Sequence, residues 1–124
     1  MFAEMMASGS GGLQFTLVET QYTASGYKFW FTVIDSVEGK YHYFNMSSGG
    51  TNEYVFNGLK IKGNGSSSFT FTAIDGYRLY EFAPSSGYKT LTDHGVNGTK
   101  TVQPYYSYYQ SFIAIKGDIS QEAT

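Results

Sequence analysis

The side chains able to move a proton or hold a metal are few: His42 and His94, and the carboxylates Asp35, Glu38, Asp75, Glu81 and Asp93. Two carboxylates facing each other across a cleft, roughly 5 to 9 Å apart, would suit glycoside hydrolysis. Asp35 and Asp75, however, close two matching runs, F-x-F-T-x-I-D at 29–35 and 69–75. A turn asks for Asp at such a place, because its short side chain bonds local amides and tolerates left-handed backbone. His42 sits inside the run KYHYF and His94 inside TDHGVNG, with no H-x-x-x-H spacing and no cysteine in the chain. A metal site would have to be gathered by the fold from distant residues. Asp93 and His94 with Ser85 or Ser86 have the composition of a triad, but no G-x-S-x-G elbow presents the serine. The glycine-rich pieces GSGG and GNGSSS lack the flanking residues of a phosphate loop. No catalytic residue, metal ligand or cofactor is assigned, and the chain reads as non-enzymatic.

What is abundant is aromatic surface. Of 124 residues, 12 are Tyr, 10 Phe and one Trp, a 19% aromatic fraction beside only 15% charged residues. Trp30, Tyr41, Tyr43, Tyr88, Tyr105, Tyr106, Tyr108 and Tyr109 are the candidates for contact with a partner. A rigid ring with a polar tip suits the apolar face of a sugar and equally the centre of a protein interface. Low-charge aromatic strands also tend to pair edge to edge, which favours assembly.

Composition limits the other partners. Net charge is −2, and the eight basic residues are scattered singly, so the charge footprint of a duplex binder is missing. No apolar run approaches the ~20 residues of a membrane-spanning helix. Glu4 stands where an export signal would carry lysine or arginine, so a soluble protein without a signal peptide is expected. The sequons at Asn45, Asn64 and Asn97 matter only in a secretory pathway; Asn64-Gly65 and Asn97-Gly98 read better as turns.

The elements that must carry these residues are strands. Apolar residues recur with period two along 13–20, 27–34, 40–45, 54–62, 69–82 and 105–115, and no helical period lasts beyond a turn or two. Residues 27–45 read as a hairpin turning through SVEG at 36–39, with Tyr27, Phe29, Phe31 and Val33 on one face and Lys28, Trp30, Thr32 and Ile34 on the other. Residues 54–62 read as a strand interrupted at Asn57-Gly58 by a bulge or tight turn. Asp75-Gly76 between alternating runs predicts a type I′ hairpin over 69–82, with Thr72 opposite Leu79 and Phe71 opposite Tyr80. Phe69, Phe71, Ala73, Tyr80 and Phe82 would then share a face. Residues 83–104 read as a long irregular stretch holding short strands near Tyr88–Leu91 and Lys100–Val102. The run 105–115 has no clearly polar face, which suits the centre of a sandwich or an edge covered by another chain. The expected fold is all-β, an antiparallel sandwich or jelly-roll-like arrangement of seven to nine short strands.

Residues 1–12, MFAEMMASGSGG, stand apart from the β domain at 13–124, as an apolar head (Met1, Phe2, Met5, Met6) on a Ser/Gly linker. Such an arm reads as a loose terminus or as an anchor on a neighbouring subunit; the anchor is the reading adopted. This opening, followed by an aromatic, cysteine-free β domain, resembles the small virion proteins of tailed bacteriophages infecting gut Firmicutes. The resemblance implies a head-decoration, head-fibre or tail-associated structural protein located in the virion and forming an oligomer or a virion component. A carbohydrate-binding domain using the exposed Trp and Tyr side chains is the alternative.

Overall fold

The computed structural model describes residues 14–22, 28–47, 49–65, 68–85, 88–103 and 109–117. They form ten strands: β1 (Phe15–Tyr22), β2 (Lys28–Asp35), β3 (Lys40–Ser47), β4 (Glu53–Phe56), β5 (Leu59–Gly63), β6 (Phe69–Ala73), β7 (Arg78–Ser85), β8 (Tyr88–Val96), β9 (Thr99–Val102) and β10 (Tyr109–Ile115). Six make one antiparallel sheet in the order β3-β2-β1-β10-β7-β8, and four make a second in the order β4-β5-β6-β9. The expected all-β sandwich is therefore present, with one strand more than the upper expectation. The apolar arm residues Met1, Phe2, Met5 and Met6 lie outside the described residues, as do Tyr105, Tyr106 and Tyr108.

The two F-x-F-T-x-I-D runs explain how the layers meet. Each supplies alternate inward phenylalanines, and the runs face each other across the sandwich: Phe29 packs edge-on against Phe69 at 4.5 Å between ring centroids, and Phe31 packs against Phe69 at 5.3 Å and Phe71 at 6.2 Å. Phe71 then stacks on Phe112 of β10 at 4.2 Å. All five rings are fully buried, with Val18, Val33, Leu59, Ile61 and Leu79 around them. Burial of each such side chain stabilises by roughly 1.5–3 kcal/mol, and favourable ring pairs add about 0.5–1.5 kcal/mol. On the open side, Phe44 of β3 closes the layer against Tyr54 and Phe56 of β4.

Turn chemistry holds where it was read locally and fails where it was extended. The hairpin of β2 and β3 turns through 36–39 with Asp35 opposite Lys40, as expected, and Gly39 takes a φ of 68°. Asn57-Gly58 is a two-residue hairpin turn, with Phe56 opposite Leu59. Asp75 and Gly76 do adopt positive φ, 58° and 82°, and Tyr77 N–H donates to Ile74 O at 3.1 Å, yet β6 and β7 belong to different sheets. The expected pairing of Phe71 with Tyr80 and Thr72 with Leu79 does not occur; Phe71 opposes Ile61 and Lys100, and Tyr80 opposes Ile113 and Asp93. Tyr80 consequently does not share a face with Phe69 and Phe71.

The reason lies in the stretch read as irregular. It forms the long strand β8 and the short β9, which pair with β7 and β6 respectively. The β6–β7 arm and the β8–β9 arm therefore bend together from one sheet into the other, and the two bends are bonded to each other. Gly76 N–H donates to Asn97 Oδ1 at 3.0 Å, and Asn97 N–H donates to the Tyr77 carbonyl at 2.7 Å. Asp75-Gly76 is a corner of a long hairpin rather than its tip. β10, apolar on both faces, lies between β1 and β7 at the centre of the larger sheet, one of the two positions foreseen for it.

Asp35 pins the layers at one end. Buried to 2% exposure, it accepts backbone N–H bonds from Val37 and Glu38 through Oδ1 and the Asn57 side-chain amide through Oδ2 at 2.8 Å. Thr16 Oγ1 donates to the Asn57 carbonyl from the same sheet. Tyr77 packs beside this cluster. Burial, and then the negative charges of Asp35 and Asp75, raise its phenol pKa above the ordinary value.

Two predictions follow from these turns and their surroundings. Gly58 has a φ of 76°, and a Cβ there would stand 2.1 Å from the Tyr77 ring, whereas at Gly76 (φ 82°) a Cβ meets nothing within 4 Å. Gly58→Ala carries both left-handed strain and overpacking, about 2–5 kcal/mol, and Gly76→Ala the strain alone, about 1–2 kcal/mol. Urea denaturation of both variants measures this, and equal losses would contradict it. For Tyr77, a folded-state pKa above the unfolded one leaves stability untouched below pH 10 and lowers it as pH rises from there through the folded pKa. Tyr77→Phe should therefore flatten the alkaline fall in urea midpoint between pH 9 and 11; an unchanged slope would refute the assignment.

Candidate functional site

Most of the groups that could do acid–base chemistry are engaged in holding the fold. Asp35 caps its turn; Glu38 sits 3.7 Å from Lys40 Nζ and accepts from the Asn57 side-chain amide at 3.3 Å. Asp35 and Glu38 are thus brought together, but on a shared amide donor. Asp75 serves the corner. Asp93 pairs with Arg78 at 2.8 Å. His94 is the extra residue of a bulge, since Leu79 opposes Gly95 while Tyr80 opposes Asp93, and the bulge turns its ring onto Glu81 at 2.8 Å. Glu81 is nearly buried and Lys100 Nζ lies 4.0 Å away on the facing sheet, so the trio ties β7, β8 and β9 together. The Asp93–His94 dipeptide thus directs its two side chains to different partners, Arg78 and Glu81. Of the imagined hydroxyls, Ser86 lies outside the described residues, and Ser85 ends β7 opposite Tyr88. His42 rests against the Phe56 ring at 5.1 Å. Among the described residues no group of three His, Cys, Asp or Glu could hold a metal.

The candidate aromatic residues separate. Trp30, Tyr41 and Tyr43 come together on the outer face of β2 and β3, because Phe29, Phe31 and Val33 turn inward and leave the alternate residues outside. Trp30 and Tyr43 stack at 5.6 Å with their planes 15° apart. Tyr41 and Tyr43 are 67% and 61% exposed. Tyr88 begins β8, at the opposite edge of the same sheet, and Tyr109 begins the central β10 opposite Gln21.

A feature the alternation did not single out is that the exposed tyrosines end an apolar row. Reading across the pairings from the edge, Tyr41 opposes Ile34, Ile34 opposes Leu17, Leu17 opposes Ile113, and Ile113 opposes Tyr80. Ile113, Ile115 and Tyr80 are buried on this face, packed with Phe15, Leu17 and Leu91 as a second apolar cluster. Along the row exposure rises toward both edges, to the apolar and aromatic Tyr41 on β3 and, past Tyr80, to the charged Asp93 on β8. The outer face of the smaller sheet is the opposite in character. There Thr70 bonds Thr101 at 3.0 Å, Thr72 bonds Thr99 at 3.1 Å, and Lys60 pairs with Glu53 at 3.3 Å. The smaller sheet's outer face is thus mainly polar, with Val55 exposed on it, whereas the larger sheet's carries an apolar row flanked by polar residues such as Glu19 and Asn45.

The four sheet edges also differ. β4 and β9 have four residues each, and β8 is interrupted by the bulge at His94 and carries Lys89 and Asp93. β3 runs for eight residues, KYHYFNMS, in unbroken register with β2, with Lys40 its one Lys, Arg, Asp or Glu, and no proline. By the rules that protect natural edges it is the least defended of the four. Comparison with protein-family models, curated proteins and solved structures finds no match.

Proposed function

We propose that the protein is a non-enzymatic assembly module that docks on other protein subunits through the β2–β3 end of its larger sheet. The observation that carries this is the exposure of Tyr41 and Tyr43, the latter stacked on Trp30, at the end of an apolar row and on a long edge that no described strand covers. Tyr and Trp offer large contact area at small entropic cost, and they dominate the centres of protein interfaces. An edge strand adds backbone donors and acceptors to that contact. The resemblance of residues 1–12 to the arms of small phage virion proteins agrees with this reading and gives it a setting, a structural protein of the virion held in part by its N-terminal arm.

The same rings support a second reading, as a carbohydrate-binding platform. Tyr41 and Tyr43 lie two residues apart on one face of a strand, about 7 Å along it, so a sugar chain could lie over both. Electrophoresis through gels containing soluble glycans separates the two. The assembly reading predicts unretarded migration of the full chain in every glycan. Retardation that disappears in Tyr41→Ala/Tyr43→Ala would overturn it in favour of the second. The variant should fold with stability within about 1 kcal/mol of the parent, because both side chains are exposed.

A further inference from the structure

Resting on the assembly reading, we infer that the partner at this edge is a second copy of the chain, joined by antiparallel pairing of β3 with β3 about a two-fold axis through Tyr43. An edge strand is complementary to itself when reversed, because both copies present the same row of backbone N–H and C=O groups. Directly opposed residues in an antiparallel pair point to the same face, so Tyr43 can oppose only an odd-numbered residue of the other copy. A two-fold centred on Tyr43 brings residues 40–46 into register with their counterparts, seven of the eight residues of the strand. A centre on His42 would engage only five, and one on Phe44, though it engages 41–47, would set Tyr43 opposite Asn45 and Tyr41 opposite Ser47 at the strand end instead of ring against ring. Pairing about Tyr43 also sets Tyr41 opposite Asn45 of the other copy, a phenol beside an amide.

Three observations favour this occupant. Tyr43 is already held by its stack on Trp30, so the joint would bring together two preordered ring pairs with little further loss of side-chain freedom. The row Tyr41, Ile34, Leu17, Ile113 and Tyr80 stops at this edge with its last member exposed, and a second copy shields that end. The charges of the strand also permit it. Lys40 lies at one end of β3, beside its own Glu38. Antiparallel pairing places the two Lys40 residues six strand positions apart, about 20 Å, beyond the range of screened repulsion. Parallel pairing would set them side by side.

Sedimentation equilibrium of the full chain from 1 to 500 µM tests this, run on the parent, on Tyr43→Lys, on Tyr43→Glu and on an equimolar mixture of the two variants. Like charges directly opposed across an antiparallel pair repel and opposite charges attract. The parent should reach twice the single-chain mass, each variant alone should weaken association at least tenfold, and the mixture should recover the doubled mass. Far-UV circular dichroism checks that each variant stays folded, and the same charge exchange at Tyr41 against Asn45 (Tyr41→Lys mixed with Asn45→Glu) repeats the test at a second pair. A parent that remains monomeric, a dimer indifferent to Tyr43→Lys, or a mixture that stays monomeric would each overturn the inference. A monomeric parent leaves docking on a different subunit standing, whereas glycan retention dependent on Tyr41 and Tyr43 removes the assembly reading itself.

Discussion

The contact between Phe29 and Phe31 of β2 and Phe69 and Phe71 of β6 is the constraint from which the rest of the arrangement follows. It fixes which face of β2 turns inward, and in a strand that choice decides the position of every other side chain. With Phe29, Phe31 and Val33 buried, Trp30, Thr32 and Ile34 must stand on the outer face. The pairing of β2 with β3 then carries the same choice to Phe44 and Met46 inside and to Tyr41 and Tyr43 outside. A slip of one residue in either strand would expose the phenylalanines and bury the tyrosines. The exposed aromatic face is thus a consequence of core packing.

The second determinant is the pair of corners at Asp75-Gly76 and Asn97-Gly98. They allow one long hairpin to serve both layers, contributing β6 and β9 to the smaller sheet and β7 and β8 to the larger. Asn97, itself at a φ of 54°, binds the backbone of the other corner at Gly76 and Tyr77, so the two bends are held as a unit. The division leaves the layers unequal. Threonine pairs and a Lys–Glu pair share the outer face of the four-stranded sheet with Val55, while residues 112–115 of β10, in the middle of the six-stranded sheet, are apolar on both faces. That apolar character reaches one edge through Leu91 on β8 and the other at Tyr41 on the long strand β3, where it is most exposed.

Much of this was legible in the residues, and the failures are instructive. Alternation located the strands, and the turn at 36–39 was readable because its closing positions are adjacent in sequence. The faces of β2 were read correctly, which is why Trp30 could be selected. Asp75-Gly76 reads as a hairpin tip because its backbone requirement is local, whereas the choice of strand partner is decided by residues farther along the chain, in β8 and β9. Those strands were legible only in part, at Tyr88–Leu91 and Lys100–Val102: TDHGVNGTK between them carries glycines and polar residues at a bulge and a corner, and they mask the extended backbone. The burial of Ile113 and Ile115 opposite the main core was foreshadowed by a run apolar on both faces. The status of β3 as an edge had no local signal, since nothing in KYHYFNMS states how many neighbours it has.

The central claim is that β3 is an edge awaiting a partner, and backbone amide hydrogen exchange, resolved residue by residue across β3 and β2 in dilute and in concentrated full-length protein, tests it most directly. In an edge strand alternate amides point away from the sheet and exchange freely until another strand pairs with them. The account predicts that alternate amides between Lys40 and Ser47 gain protection as concentration rises, while those of β2, already paired on both sides, change little. Outward amides of β3 that exchange equally fast at every concentration, or that are already protected in the most dilute sample, would contradict it.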